Sequence, residues 1–183
     1  MIYSKFEDIA KKYQIIYADP PWKYDNAKNN DPKMGGITYQ QMALSDLKKM
    51  EVGRIADDNC TLFMWVTMPK LKEGLELIEA WGFEYRTCAF CWVKQNPKND
   101  GIYSGLGHWT NGNAELCLFA KRGCPKRVSK NVKQIVLAHR EYHSKKPDEV
   151  RDRIIALVGD LPKIELFGRC QTAGWDVFGN EVS

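Results

Sequence analysis

The sequence predicts a single α/β domain built on a mostly parallel sheet. Three observations carry this expectation. Short apolar runs rich in β-favouring residues recur along the chain, stretches of helical periodicity or long loops separate them, and glycine or proline marks the junctions. Strands joined by such crossovers align in parallel and are buried on both faces, which is why they read as continuous apolar runs. The 183 residues suffice for one core, so one domain over 1–183 is expected.

Residues 13–18 (YQIIYA) form an apolar run between Lys11-Lys12 and Asp19-Pro20, the pattern of a buried strand with Asp19 at its carboxyl edge. A polar, glycine-containing loop follows over residues 23–39, and Ser45 is placed to cap a short helix over 46–50. Residues 60–66 (CTLFMWV) read as a second buried strand. Residues 69–81 carry Leu71, Leu75, Leu77, Ile78 and Trp81 at helical spacing, with Gly82 placed to end the helix. A third strand is expected over 83–93, a loop with Pro97 and four glycines over 96–113, a fourth strand over 115–121 and a fifth over 132–138. Residues 147–158 open with proline and acids, as helix N-termini do, and end at Gly159. Residues 163–167 (KIELF) and 175–178 supply the last two strands.

With 44% hydrophobic and 27% charged residues the chain is globular in composition. No run approaches the roughly 20 apolar residues that span a bilayer, and the opening MIYSKFEDIAKKY lacks the apolar centre of a signal peptide. A soluble, cytoplasmic protein with no membrane partner is therefore expected. The net charge of +4 permits a polyanionic partner. Its distribution says more, because Lys121, Arg122, Lys126, Arg127, Lys130 and Lys133 fall close together; they read equally as a solvated loop or as phosphate contacts. Of six scattered cysteines only Cys88 and Cys91 have C-x-x-C spacing, and no second pair or nearby histidine completes a ligand set. No metal is expected, and the thiols are taken as reduced and mostly buried.

In an open parallel sheet, ligands bind at the carboxyl ends of the strands. Asp19-Pro20-Pro21-Trp22, the loop after Val93, and Gly168-Arg169 after Phe167 all fall there. Two prolines after an aspartate stiffen the backbone and remove two N–H donors, leaving a rigid set of acceptors. An amino group on an aromatic ring is their natural partner: Asp19 and the Pro20 carbonyl each accept one N–H, and Trp22 offers a face for stacking. Adenine's amine is a poor nucleophile because its lone pair is delocalised into the ring. Accepting both its protons favours the tetrahedral geometry in which that lone pair meets an electrophile, a chemistry of positioning and electrostatics without a strongly shifted general base. The same residues also read as no more than a stiff turn.

The chain resembles the adenine-N6 methyltransferases typified by the catalytic subunit of the eukaryotic mRNA adenosine methyltransferase, and in particular their short bacterial and phage relatives. The resemblance runs from about Tyr13 to Val182 through ordered blocks: YADPPW at 17–22, GGITYQQM at 35–42, LFMWVT at 62–67, WVK at 92–94, GHWTNGNAE at 107–115, SKKPDEV at 144–150, IELFGR at 164–169 and GWDVFGNE at 174–181. It implies a Rossmann-like fold with helices on both faces of the sheet, dependence on S-adenosylmethionine, and a permuted order in which the catalytic motif precedes the cofactor motif. By similarity Asp19, Lys146, Phe167, Gly168, Arg169, Gln171, Asn180 and Glu181 would hold the cofactor, with glycine at 168 letting backbone approach a ligand. Gln171 and Thr172 replace a His-Asn pair of the eukaryotic enzyme, and an upstream acid that relatives carry has only Asp8 as a stand-in.

Tyr39, Lys94, His108, Trp109, Asn113 and Glu115 lie in or beside the loops expected at the mouth, where aromatics and cations suit a flipped or single-stranded base. The function expected is methyl transfer to adenine in DNA, with RNA as the alternative polymer and a catalytically silent binding module as the alternative class. A homodimer or a recruiting partner is expected to supply grip and specificity.

Overall fold

A computed structural model describes residues 1–24, 40–105, 107, 109–141 and 145–179. In chain order the elements are β1 (Ile2–Tyr3), a 3₁₀ turn at Phe6–Asp8, β2 (Tyr13–Ala18), α1 (Leu44–Lys49), α2 (Val52–Ile55), β3 (Ala56–Val66), a 3₁₀ turn at Met68–Lys70, α3 (Leu71–Ala80), β4 (Glu84–Gln95), β5 (Ala114–Arg122), β6 (Ile135–His139), α4 (Glu149–Val158), β7 (Lys163–Leu166) and β8 (Asp176–Phe178). All eight strands join one sheet in the order β1-β8-β7-β2-β3-β5-β4-β6. Pairing is parallel except where β5 runs antiparallel between β3 and β4.

The period-2 alternation of strands sorts their side chains between two cores. Ile16 and Ala18 of β2, with Leu62, Met64 and Val66 of β3, face Leu47 of α1, Val52 and Ile55 of α2, and Leu77 and Ile78 of α3. Ile15, Tyr17, Phe63 and Trp65 face Val150, Ile154 and Val158 of α4. Helices therefore cover both faces. Each large side chain buried this way contributes about 1.5–3 kcal/mol of transfer free energy. At α3 the approach is close, because a Cβ at Gly74 would lie 3.1 Å from the Val66 methyl.

Several boundaries differ from expectation for identifiable reasons. Ala43, not Ser45, occupies the N-cap of α1, and no side chain caps it. The helix α2, only four residues long, is held by burial of Val52 and Ile55 rather than by a periodic pattern. Pro69 lies in the 3₁₀ turn that feeds α3, and Gly82 takes φ +82 just past its end, as expected of a terminating glycine. The thiols are less buried than expected: Cys60 and Cys117 are buried, whereas Cys124 and Cys170 are exposed. Among the described residues no helix is long and apolar enough to cross a membrane.

One consequence of this topology positions the site. Because β5 is antiparallel to both neighbours, Val66 pairs with Leu116 and Val93 with Ala114. The start of β5 and the end of β4 thus reach the sheet end where β2 finishes at Asp19, while Lys121 and Arg122 lie at the opposite end.

Candidate active site

The backbone of β2 leaves the sheet at Asp19, whose N–H still reaches the Leu166 carbonyl of β7 at 3.4 Å. The turn that follows is held by its own acceptors. Pro20 accepts from the Trp22 N–H at 2.8 Å, and Pro21 accepts from Met42 N–H at 2.8 Å, tying the turn to the segment entering α1. A carbonyl has two lone pairs, so Pro20 keeps one acceptor direction open. Trp22 corrects the sequence expectation. It is 5% exposed, packs in the core under α1 and donates its indole N–H to Trp65 O at 3.3 Å. It anchors the turn and presents no face for stacking a base.

Asp19 begins a chain of alternating charge across the strand ends. Lys146, from the segment leading into α4, places Nζ 2.7 Å from Asp19 Oδ2 and 3.4 Å from Glu115 Oε2. Lys94 at the end of β4 pairs with the other Glu115 oxygen at 2.5 Å. Lys146 lies over the Trp65 ring at 5.7 Å and Lys94 over the Trp92 ring at 5.1 Å, so indole faces back both ammonium groups. Burial pushes the Asp19 carboxyl above its ordinary range, with the Lys146 ammonium opposing. Burial acts the same way on Glu115, but Lys146 and Lys94 outweigh it and hold that carboxyl down at about 2. Glu115 is thus a fixed anion, and Asp19 is an aspartate whose charge the fold resists.

On the other side of Asp19 opens a cleft of about 410 Å³, in the size range of ligand sites. Its floor is Asp19-Pro20-Pro21 and Phe167-Gly168-Arg169, from neighbouring strands β2 and β7; Phe178 and Gly179 close it beyond β8. Phe167 has φ +65, a left-handed conformation that costs a bulky residue about 1–3 kcal/mol and is found where function demands it. Gly168 lines the cleft, and a packing demand also requires glycine there. A Cβ there would stand 2.5 Å from the Val177 methyl, so glycine serves the close packing of β7 on β8.

The far wall was not legible in the sequence. Ser4, Lys5, Phe6 and Glu7 line it, because β1 pairs with β8 and the Phe6–Asp8 turn folds over the cleft, with Phe6 edge-on to Phe178 at 5.5 Å. The acid contributed here is Glu7 in place of Asp8. The cleft thus offers carboxylates at Asp19 and Glu7, cations at Lys5 and Arg169, and apolar walls at Phe6, Phe167 and Phe178.

Other predicted residues fall variously. Lys146 touches Asp19 from the Trp65 side and does not line the cleft, and Gln171 is exposed beyond it. Lys94 and Glu115 are spent on one another in place of facing outward separately. The backbone carbonyl of Asn113 accepts from Lys94 N–H at 2.8 Å. Trp109 is 95% exposed in the loop between β4 and β5. Tyr39, His108, Asn180 and Glu181 lie outside the described residues.

Comparison with known proteins returns one consistent picture. A family profile described as MT-A70 matches residues 13–181. The chain is similar to the type II methyltransferase M.MunI of a Mycoplasma species, 37% identical over 192 aligned positions that cover 94% of this chain and 78% of that protein. It is also similar to the human N(6)-adenosine-methyltransferase catalytic subunit METTL3, 32% identical over 95% of this chain, and to an Arabidopsis thaliana N(6)-adenosine-methyltransferase MT-A70-like protein, 32% identical over 96%. The chain spans 29% and 24% of those two eukaryotic proteins.

Proposed function

The chain belongs to the MT-A70 family, and from that premise we propose that it transfers a methyl group from S-adenosylmethionine directly to the exocyclic N6 amine of adenine in DNA. The observation that carries the reading is the placement of Asp19-Pro20 as rigid acceptors between a nucleotide-sized cleft and the Lys146–Glu115–Lys94 charges. DNA is chosen over RNA because the bacterial relative with the type II name is matched over most of its length. The matched N(6)-adenosine-methyltransferases extend far beyond the chain.

The cofactor supplies an electrophilic methyl carbon on a sulfonium. Phe167, Gly168 and Arg169 would hold it with Glu7, and Asn180 and Glu181 join them on the family resemblance. Asp19 Oδ1, to which no described residue donates, accepts one N–H of the amine, and the open lone pair of Pro20 O accepts the other. With both amine protons accepted by Asp19 and Pro20, the nitrogen lone pair would be free to take the methyl group the cofactor would supply, the sulfonium carbon–sulfur bond breaking in exchange with its electrons left on sulfur. The carboxylate offsets the positive charge growing on nitrogen. Lys146 keeps Oδ2 occupied, which fixes the direction of Oδ1 and discourages protonation of the group. One amine proton leaves to solvent afterwards, so no strong base is needed.

Labelled S-adenosylmethionine incubated with DNA, followed by nucleoside analysis, should yield N6-methyladenine, and Asp19→Ala should abolish it. Product on RNA oligonucleotides alone would replace DNA by RNA as the substrate. Absence of product on both, with no binding of S-adenosylhomocysteine by calorimetry, would leave the chain a binding module.

A further inference from the structure

Among the described residues at the mouth of the site, Lys94 and Lys146 are paired with Glu115 and Asp19. The opposite holds for the segment between β5 and β6. Lys126, Arg127, Lys130 and Lys133 are all exposed and have no carboxylate partner among the described residues. Their neighbours differ: Lys121, Lys145, Arg151 and Arg153 each face an acid.

The segment is not a loose loop. Val128 and Ser129 donate backbone N–H groups to Leu157 O at 2.9 and 3.4 Å. Val132 packs into the α4 core, and Arg153 binds the Lys133 and Ile135 carbonyls at 2.9 and 2.7 Å. From the far end of the sheet it climbs beside α4 into edge strand β6, whose His139 pairs with Gln95 at the Asp19 end. Arg140 follows there, 4.1 Å from the Tyr103 ring. The negative end of α4 accounts for cations near Leu157. It does not account for Lys130 and Lys133 on the climb back toward Arg153, and four fixed like charges repel one another unless a polyanion offsets them.

We propose that Lys126, Arg127, Lys130 and Lys133 form a phosphodiester-binding track that grips the polymer flanking the target base. The inference rests on the nucleic-acid reading above and locates the grip outside the reaction site. Neutralising phosphates releases counterions, so the track has a signature in salt dependence, with a log–log slope of about −0.9 per phosphate contact on duplex DNA.

The test is fluorescence anisotropy over a KCl series with duplex DNA and, separately, single-stranded RNA, comparing the parent with Lys126→Gln/Arg127→Gln/Lys130→Gln/Lys133→Gln. A control, Lys48→Gln/Lys49→Gln/Lys70→Gln/Lys72→Gln, removes equal charge from α1, α3 and the turn before it. The track variant should bind duplex at least tenfold more weakly, with a slope flatter by about 3 to 4. Its KM for DNA should rise while kcat and S-adenosylhomocysteine affinity match the parent, and the control should stay within twofold in each. An unchanged slope in the track variant, or an equal loss in the control, overturns the proposal. The same flattening on RNA alone keeps the track and changes its polymer. A parent that methylates nothing yet binds with a track-dependent slope overturns the enzymatic reading and leaves the track standing.

Discussion

Lys146 stands 2.7 Å from Asp19 and 3.4 Å from Glu115, and the two carboxyls respond to it differently. Asp19 is raised, burial being the larger influence. A folded-state value above the unfolded one means that the parent loses stability as pH rises through that range. Glu115 is held at about 2, so its contribution is present above its unfolded value of 4.5 and is lost as pH falls toward 2. Two isosteric changes should therefore move stability in opposite directions. Asp19→Asn should end methylation yet raise Tm at pH 7, with the gain vanishing below about pH 4. Glu115→Gln should cost up to about 3 kcal/mol at pH 7, closing as the pH approaches 2. Thermal melts across pH check both, and a Glu115→Gln melt equal to the parent's at pH 7 would contradict the assignment of that charge. Asp19 was legible from sequence because its motif is local. Its electrostatic setting was not, since Glu115 and Lys94 reach it only through the antiparallel register of β5.

At the scale of elements, α4 and β7 are locked by a bidentate pair, Arg151 Nε and Nη2 to the two Glu165 oxygens at 2.9 and 2.8 Å. Glu165 is 8% exposed on β7, two residues before Phe167, and Arg151 follows Lys146 by little more than one helical turn. The pair thus joins the strand that ends in the strained Phe167 to the element that brings Lys146 to Asp19. Breaking a buried pair by removing one partner costs about 3–5 kcal/mol because a charge is stranded. Arg151→Met should show such a loss at pH 7. Burial already raises Glu165, and the loss of Arg151 raises it further. The variant is therefore expected to recover stability as the pH falls toward the unfolded value of 4.5, the stranded carboxyl taking up a proton on the way, and Arg151→Met/Glu165→Gln to recover it at pH 7. Denaturant unfolding at the two pH values decides this, and a loss independent of pH would point to lost packing. Elements whose signal is local were readable: β2 as an apolar run, α3 and α4 by periodicity and terminal glycines. The two-residue β1 carries no pattern of its own and exists because Ile2 and Tyr3 find Val177 and Phe178. The reversal of β5 leaves no trace in composition, because a strand buried on both faces reads alike in either direction.

Across the whole molecule, β2 divides the sheet into two functional halves. β7, β8 and β1 build the cleft on one side of Asp19, and β3, β5 and β4 bring the charged residues to the other. Beside Gln40, Met42 and Met50, the cleft draws facing walls from residues 4–7 and from 167–169 with 178–179, joined chiefly by the β1–β8 pairing, in which Val177 donates to Met1 O at 2.9 Å and Gly179 to Tyr3 O at 3.4 Å. A two-residue edge strand opens easily, so a ligand bridging both walls must hold it shut. S-adenosylhomocysteine at a hundredfold excess over its Kd should stabilise the fold by about 2.7 kcal/mol. For a domain of this size that raises Tm by roughly 5–10 °C. The protection should be local as well as global: exchange at the Val177 and Gly179 amides should slow more than at the Cys117 and Leu118 amides in the middle of β5. Glu7→Gln should shrink both responses while leaving the unliganded Tm near the parent's, because Glu7 lies at the surface of the turn. Uniform slowing across the sheet, with no excess at β8, would show that the N-terminal segment takes no part in binding and that the cleft closes without it.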